Sequence, residues 1–418
     1  MTKESRITTE KTWIELSRNN LRHNLEVFRR LCGAATPIWT VKANAYGHGA
    51  ILIAKEIQKT IPSFVIPSAA SDLKASDQTQ RFLPLDKSTA RARKDKRRGE
   101  WFGVDSIDEA ISLRQEGIVA PIIVLGWVPY PRLNELAKYN LRLLVSSAQT
   151  VERLSKLKTK SNIRVHIKID TGTTRQGVLP EQALAMAEMI KTAGLVLEGA
   201  AMHFANIEDV DNPTYGDLQI ERFTHAVALL QASGFALPIV HAACSAAIMT
   251  RPETVLTAAR IGIGLYGLNP SPLVAARYKK QKRGASLKPV LSWRSRVALL
   301  KPIKPGTPVG YGLTEKTARK TMIAIVPVGY ADGYDRSLSS RGHVLIRGKR
   351  CRVIGRVCMN MIIVDATPAV GAQENDVVTL IGIDGKQAIS ADELAVSADT
   401  INYEIVARLA EHITRIIV

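Results

Sequence analysis

The chain has 418 residues, 46% hydrophobic and 23% charged, with a formal net charge of +19. This is the make-up of a globular protein with room for two or three domains, or for one large barrel with an appendage. No apolar run reaches the ~18 residues a membrane span needs, no apolar segment follows the opening residues as in a secretory leader, and the four cysteines (Cys32, Cys244, Cys351, Cys358) show neither a disulfide framework nor a CxxC metal spacing. A cytoplasmic setting is therefore expected.

In chain order, the run Thr12–Leu16 reads as a strand able to pair with a sheet far downstream. From about residue 37, short β-branched runs alternate with helical segments, the pattern of parallel α/β units. Eight strands are expected, at 37–42, 101–104, 121–126, 141–146, 163–169, 197–203, 238–242 and 257–264. Between them Ser106-Ile107-Asp108-Glu109 forms a capping box that opens a helix over 107–116. Further helices are expected over 180–192 and 217–233. Eight such units predict a (β/α)8 barrel spanning residues 12–285, with a basic insertion near 60–100. In that insertion Lys87, Arg91, Arg93, Lys94, Lys96, Arg97 and Arg98 are offset by one acid, Asp95. Neither interleaved aromatic residues nor a nucleic-acid motif accompanies them, so they read as a solvated segment rather than a nucleic-acid surface.

Beyond Ser286 helical periodicity gives way to β-type segments at 290–300, 321–327, 342–346, 351–365 and 376–383, punctuated by Lys304-Pro305-Gly306, Arg347-Gly348-Lys349 and Asp384-Gly385. A separate, mostly β domain over 286–418 is expected, with helical character at 391–396 and 400–410.

A barrel carries its site at the C-terminal ends of its strands, and the expected strand ends are unusually polar. The first leads into Lys42 and, soon after, Tyr46. A lysine at the mouth of a buried strand is costly unless its amine is used, for example as a Schiff base to an aldehyde cofactor; the plainer reading is a solvated lysine in a β–α turn. The fifth strand ends Lys168-Ile169-Asp170, with Arg175 following, and the sixth in His203. The seventh carries His241 and then Ser245, and the eighth Arg260 with Gly262 and Gly264. Each has an ordinary structural reading, such as a surface pair, a core histidine or a helix cap. Arg260 among apolar residues is the hardest to dismiss, since an unpaired buried guanidinium is expensive.

The segments Thr40–Gly49, His166–Gly177, His241–Ala247, Arg260–Gly267, Val309–Gly312, Pro327–Gly333, Gly355–Met359 and Thr400–Glu404 together resemble the alanine racemases. The resemblance implies an isomerase that interconverts L- and D-alanine through a pyridoxal 5'-phosphate (PLP) aldimine, supplying D-alanine for peptidoglycan. By position it makes Lys42 the PLP-bearing lysine and the base on the D-amino-acid face, with Tyr311 the base on the L face. Tyr46, Ser245, Gly262, Ile263 and Tyr403 match groups that hold the cofactor phosphate. Arg260 matches the arginine facing the pyridine nitrogen, and His203 lies between Arg260 and Tyr311 by family analogy. Arg175 matches an arginine near the phenolic oxygen, and Lys168 a lysine often carbamylated to orient it. Tyr311 and Met359 would enter the partner subunit's site, which implies a homodimer with shared sites and a small-molecule substrate. No metal, nucleic-acid or membrane partner is implied.

Three positions depart from the commoner family pattern: Asn360, Cys244 and the pair Thr173-Thr174. None removes a catalytic group, but Asn360 leaves substrate preference more open than reaction type. A racemase of broader or serine-type specificity and a noncatalytic PLP carrier are the remaining readings.

Overall fold

The computed structural model describes residues 9–61 and 99–418; the basic stretch 87–98 lies outside them. Eight parallel strands close into a barrel: β2 (Thr36–Thr40), β3 (Trp101–Val104), β4 (Ile122–Val124), β5 (Leu141–Val145), β6 (Arg164–Lys168), β7 (Val196–Ala201), β8 (Ile239–His241) and β9 (Ala258–Ile261). Closure is made by β2, which pairs with both β3 and β9. All eight strands fall within the expected ranges to a residue or two, because strands buried on both faces are written as nearly continuous apolar runs. The expected extents overshoot at the C-terminal ends. Lys42, His203, Gly262 and Gly264 sit in the connections that follow their strands, where the chain leaves the hydrogen-bonded ladder.

The helix Ile107–Gln115 starts at the expected capping box, with both reciprocal bonds present. The helix expected over 180–192 opens as a short 3-10 turn, Pro180–Gln182, and continues as Ala183–Thr192. The one expected over 217–233 runs Thr214–Ala232.

Strand β1 (Thr12–Leu16) joins the second unit. It runs antiparallel to β10 (Leu291–Arg296) and parallel to the last strand, β20 (Thr414–Ile417). The first strand of the 12–285 segment thus belongs to the sheet built mainly from residues after 286. That sheet has the order β16-β15-β18-β10-β1-β20, formed with β15 (His343–Ile346), β16 (Lys349–Arg352) and β18 (Val377–Asp384), and β19 (Gln387–Ile389) pairs β18. A three-stranded sheet holds β11 (Leu299–Ile303), β14 (Thr321–Val326) and β17 (Ile362–Asp365), and β12 (Pro308–Val309) pairs β13 (Glu315–Lys316). The segment read as one strand over 351–365 is two, because the chain turns between them at Gly355, which has φ +73°. The helical stretches are Ala391–Ala398 and Asn402–Ala407.

Inside the barrel Ile38, Trp101, Ile123, Ile239 and Ala258 form a small apolar plug. Because side chains alternate along a strand, the same inner side carries His166, Lys168, His241 and Arg260 farther along. Outside, a continuous core joins barrel, helices and second unit through Ile14, Phe28, Trp39 and Trp293, all essentially inaccessible. Each such side chain contributes roughly 1.5–3 kcal/mol by leaving water. That rigid wall is what holds the polar groups at the barrel mouth.

Candidate active site

After β2 the backbone turns left-handed. Ala43, Asn44, Ala45 and Tyr46 all have φ between +50° and +54°, followed by Gly47 at +79°. For L-residues this costs ~1–2 kcal/mol each, so the turn needs outside support. Asn44 Oδ1 accepts from the Ala50 amide at 2.8 Å, and the Glu109 carboxylate accepts from the Ala43 amide at 2.7 Å. His48 Nδ1 donates to the Tyr46 carbonyl at 2.9 Å. Arg415 donates to the Gly47 carbonyl at 2.8 Å. A Cβ at Gly47 would lie 1.8 Å from the Val406 carbonyl oxygen, so only glycine fits there.

The turn presents Lys42 at the barrel mouth, where its Nζ lies 3.6 Å from Asp105 Oδ1 with the side chain 40% exposed. The desolvation argument applied to the sequence therefore does not hold. The ammonium is half-exposed and paired, and it is the strained backbone after it, not a buried charge, that marks the site.

Across the barrel, Ser245 Oγ accepts from the amides of Gly262 (2.9 Å) and Gly264 (3.3 Å). A Cβ on Gly262 would sit 2.7 Å from the Tyr46 hydroxyl, filling a small cradle. Ile263 is buried beside it, and the Tyr403 ring lies 6.2 Å from that of Tyr46. The five residues expected to hold a phosphate thus lie close together, with a serine, two tyrosines and glycine-rich backbone that permits close approach.

Arg260 is buried at the centre of a polar chain. Its guanidinium donates to the carbonyls of Met202 (2.7 Å), His241 (2.9 Å) and Ala242 (3.0 Å), to His241 Nδ1 (2.5 Å) and to His203 Nδ1 (3.3 Å). Since an arginine only donates, His241 Nδ1 must accept and its Nε2 carries the proton. That proton goes to His166 Nδ1 at 2.9 Å, and His166 Nε2 in turn donates to Glu198 at 3.3 Å. Glu198 also receives Arg142 (3.2 Å) and Arg164 (3.5 Å). One permanent cation therefore fixes every tautomer down to a carboxylate at the far end. A register shift between β6 and β7 turns Glu198 inward. Gly199 follows because a Cβ there would lie 2.0 Å from the Ile239 carbonyl oxygen. Burial lowers the Arg260 pKa to about 10, so it remains a cation at neutral pH.

Lys168 is buried and its Nζ has no hydrogen-bond partner among the described residues. Burial, with Arg260 and Arg175 nearby, lowers its pKa to about 7, which makes a neutral amine accessible. Asp170 holds the following loop by accepting from the amides of Gly172, Thr173, Thr174 and Arg175, and so places Arg175 at the rim. Cys244, which precedes Ser245, is partly buried, and burial raises its thiol pKa, which disfavours the thiolate.

Tyr311 and Met359 are not brought to this rim within one chain. They lie on the second unit, 72% and 56% exposed, beside the exposed Leu313, Tyr330 and Met361. Tyr311 is displayed by a turn in which Gly310 (φ +70°) and Gly312 (φ +72°) flank it.

Burial holds His166, His203 and His241 below their usual pKa, assisted at His203 and His241 by the charge of Arg260, and lowers His48 to about 4. The unfolded chain takes up these protons at a pH where the folded protein refuses them. Their stabilising contribution is therefore complete above pH ~6.5 and declines below it by ~1.4 kcal/mol per pH unit for each histidine. Urea midpoints should fall steeply from pH ~6.5 towards pH ~4; midpoints that are flat across this interval would contradict the neutral histidine chain.

The sequence reading did not include Asp105, Glu109, His166 or Glu198 as site residues. The capping box was the one visible signal among them.

The chain resembles known proteins over nearly its whole length. Residues 16–77 and 88–270 match the family model "Alanine racemase, N-terminal domain", and residues 290–417 match "Alanine racemase, C-terminal domain". An alanine racemase of Leptospira interrogans is 35% identical over 416 residues, covering 98% of this chain and 96% of that protein. One of Symbiobacterium thermophilum is 36% identical over 407 residues, covering 97% and 96%. The solved alanine racemase of Clostridium difficile superimposes with a TM-score of 0.82 at 31% identity, covering 98% and 96%.

Proposed function

The chain belongs to the alanine racemase family, and from this we propose that it is a PLP-dependent enzyme interconverting L- and D-alanine by two bases on opposite faces of the substrate. The observation that carries this reading is the meeting at one barrel end of Lys42, the Ser245–Gly262 cradle and buried Arg260. The residues fit the cofactor: a reachable amine for its aldehyde, a hollow that a Cβ at Gly262 would fill for its phosphate, and a cation for its ring. PLP, when bound, supplies the electron sink that makes the alanine Cα–H removable.

The protein's own groups do the rest. Lys42 tethers the cofactor and moves the proton on the D face, and Tyr311 from a second copy moves it on the L face. Tyr46, Ser245, Gly262, Ile263 and Tyr403 bind the phosphate. Arg260, already a cation, disfavours a second positive charge on the ring nitrogen and so limits side reactions. Neutral His203, accepting from Arg260 at 3.3 Å, relays that field to Tyr311, whose phenol, with a reference pKa near 10, needs such help. Lys168 carries a carbamate, for which its unpartnered, readily neutral amine is the suitable precursor, and orients Arg175 and the substrate with it. Met359 lines the pocket from the partner side. The exposure of Tyr311, Leu313 and Met359 on the second unit supports the homodimer, since large side chains left uncovered are suited to an interface.

In the cell the product serves peptidoglycan synthesis in the cytoplasm; no helix among the described residues is long and apolar enough to cross a membrane. The C-terminal domain argues against the carrier reading, because a noncatalytic PLP barrel has no use for it.

The test is direct. Protein reconstituted with PLP should show a visible absorbance that borohydride abolishes, and should remove the optical rotation of L-alanine. Prepared in 13C-bicarbonate it should show a carbamate signal that Lys168→Ala loses. A rate on serine equal to that on alanine would move the assignment to a broader racemase.

A further inference from the structure

The Glu109 carboxylate does more than close a helix cap. One oxygen accepts from the Ala43 amide at 2.7 Å, in the turn after Lys42. The other accepts from the amides of Asp105 (2.7 Å) and Ser106 (3.2 Å) at the end of β3. A single side chain thus ties together two neighbouring strand-to-helix connections, the one bearing Lys42 and the one bearing its ion-pair partner Asp105. A left-handed turn leaves its first amide without an internal acceptor, and Ala43 is the first of four residues in that conformation. Its amide is served by a carboxylate from the next connection, a charge-assisted bond of about twice the usual strength.

We propose that Glu109 is a positioning residue for the cofactor-bearing lysine, holding the left-handed turn so that Lys42 and Tyr46 face the same hollow. The inference rests on the reading of Lys42 as the PLP lysine. It assigns Glu109 no contact with substrate or cofactor.

Two halves of the same capping box allow the roles to be separated. Ser106→Ala removes the bond from the Glu109 amide to Ser106 Oγ but leaves all three carboxylate bonds in place. Glu109→Gln keeps the size but turns one acceptor into a donor facing an amide. In PLP titrations of the apoprotein, Glu109→Gln is expected to bind PLP at least ten-fold more weakly and to speed hydrogen exchange in the 41–49 segment ten-fold or more. Ser106→Ala should lower the melting temperature while changing both readouts less than two-fold. Equal effects of the two variants on PLP binding and on exchange would overturn the proposal and leave Glu109 as a helix cap only. If Glu109→Gln does not fold, Glu109→Asp keeps the charge but is one carbon too short to span both connections. It should still show the faster exchange at 41–49, and wild-type exchange there would overturn the proposal equally. Lys42→Ala serves as the control on the underlying reading. If that variant still yields a borohydride-stable PLP adduct and racemises alanine, the lysine assignment has failed, whatever Glu109 does.

Discussion

Equal amounts of Lys42→Ala and Tyr311→Ala chains, each inactive alone, are expected to recover about a quarter of wild-type activity once their subunits exchange. Random exchange makes about half of the dimers mixed, and each mixed dimer has one site with both bases and one with neither. The expectation follows from where the chain puts its groups. Lys42 is at the barrel mouth beside Asp105, whereas Tyr311 stands 72% exposed on the second unit, as do Leu313 and Met359 at 65% and 56%. Each single variant should lose at least about 10³-fold in turnover, the scale of a removed acid–base group. Light scattering and exchange of a mass-tagged subunit would establish that mixing has occurred. A mixture still silent after proven exchange would mean that both bases come from one chain.

Arg260→Leu is expected to destabilise the fold by about 3–5 kcal/mol and abolish racemisation. The guanidinium serves three carbonyls and two histidine nitrogens at once, and a leucine leaves all of them without a donor in a dry interior. Arg260→Lys keeps the charge but not the fork, and a point charge cannot reach partners on both β8 and the connection after β7. It should recover part of the stability and little of the activity. The loss should also reach beyond the site, since His241 Nδ1, the acceptor end of the His241–His166–Glu198 chain, would lose its donor. Chemical denaturation of the three proteins checks this, and a Leu variant within about 1 kcal/mol of wild type would show that the acceptors find other partners.

The barrel was legible in the sequence because its strands are apolar runs separated by amphipathic helices, a signal that does not depend on distant residues. The helix beginning at Ser106 was legible for the same local reason. What escaped is non-local. The chain Glu198–His166–His241–Arg260 draws on four strands, and each member looks in sequence like an isolated polar residue in an apolar run. The left-handed turn escaped differently, because Ala43, Ala45 and Tyr46 have no preference for that conformation and are forced into it by Glu109, His48 and Arg415. The strand Thr414–Ile417 is too short to announce itself, and the turn at Gly355 was hidden by the apolar residues on either side. Lys42 and Arg260 stood out as charges at apolar strand ends, Tyr311 came only through motif resemblance, and the physical reasons for their neighbours came from the fold.

The contact between Arg415 and the Gly47 carbonyl also bears on how the molecule comes into being. Arg415 donates to carbonyls of Leu409, Ala410, Glu411 and Ile413 as well as Gly47, and it lies on the strand that pairs in parallel with β1. The turn bearing Lys42 is made early in the chain, yet the arginine that clamps its Gly47 carbonyl stands 368 residues further along. On the ribosome, the barrel can close while that turn still lacks the clamp from β20. The strands of the barrel therefore emerge well before the residue that clamps this turn, and the turn is completed only once β20 has paired with β1.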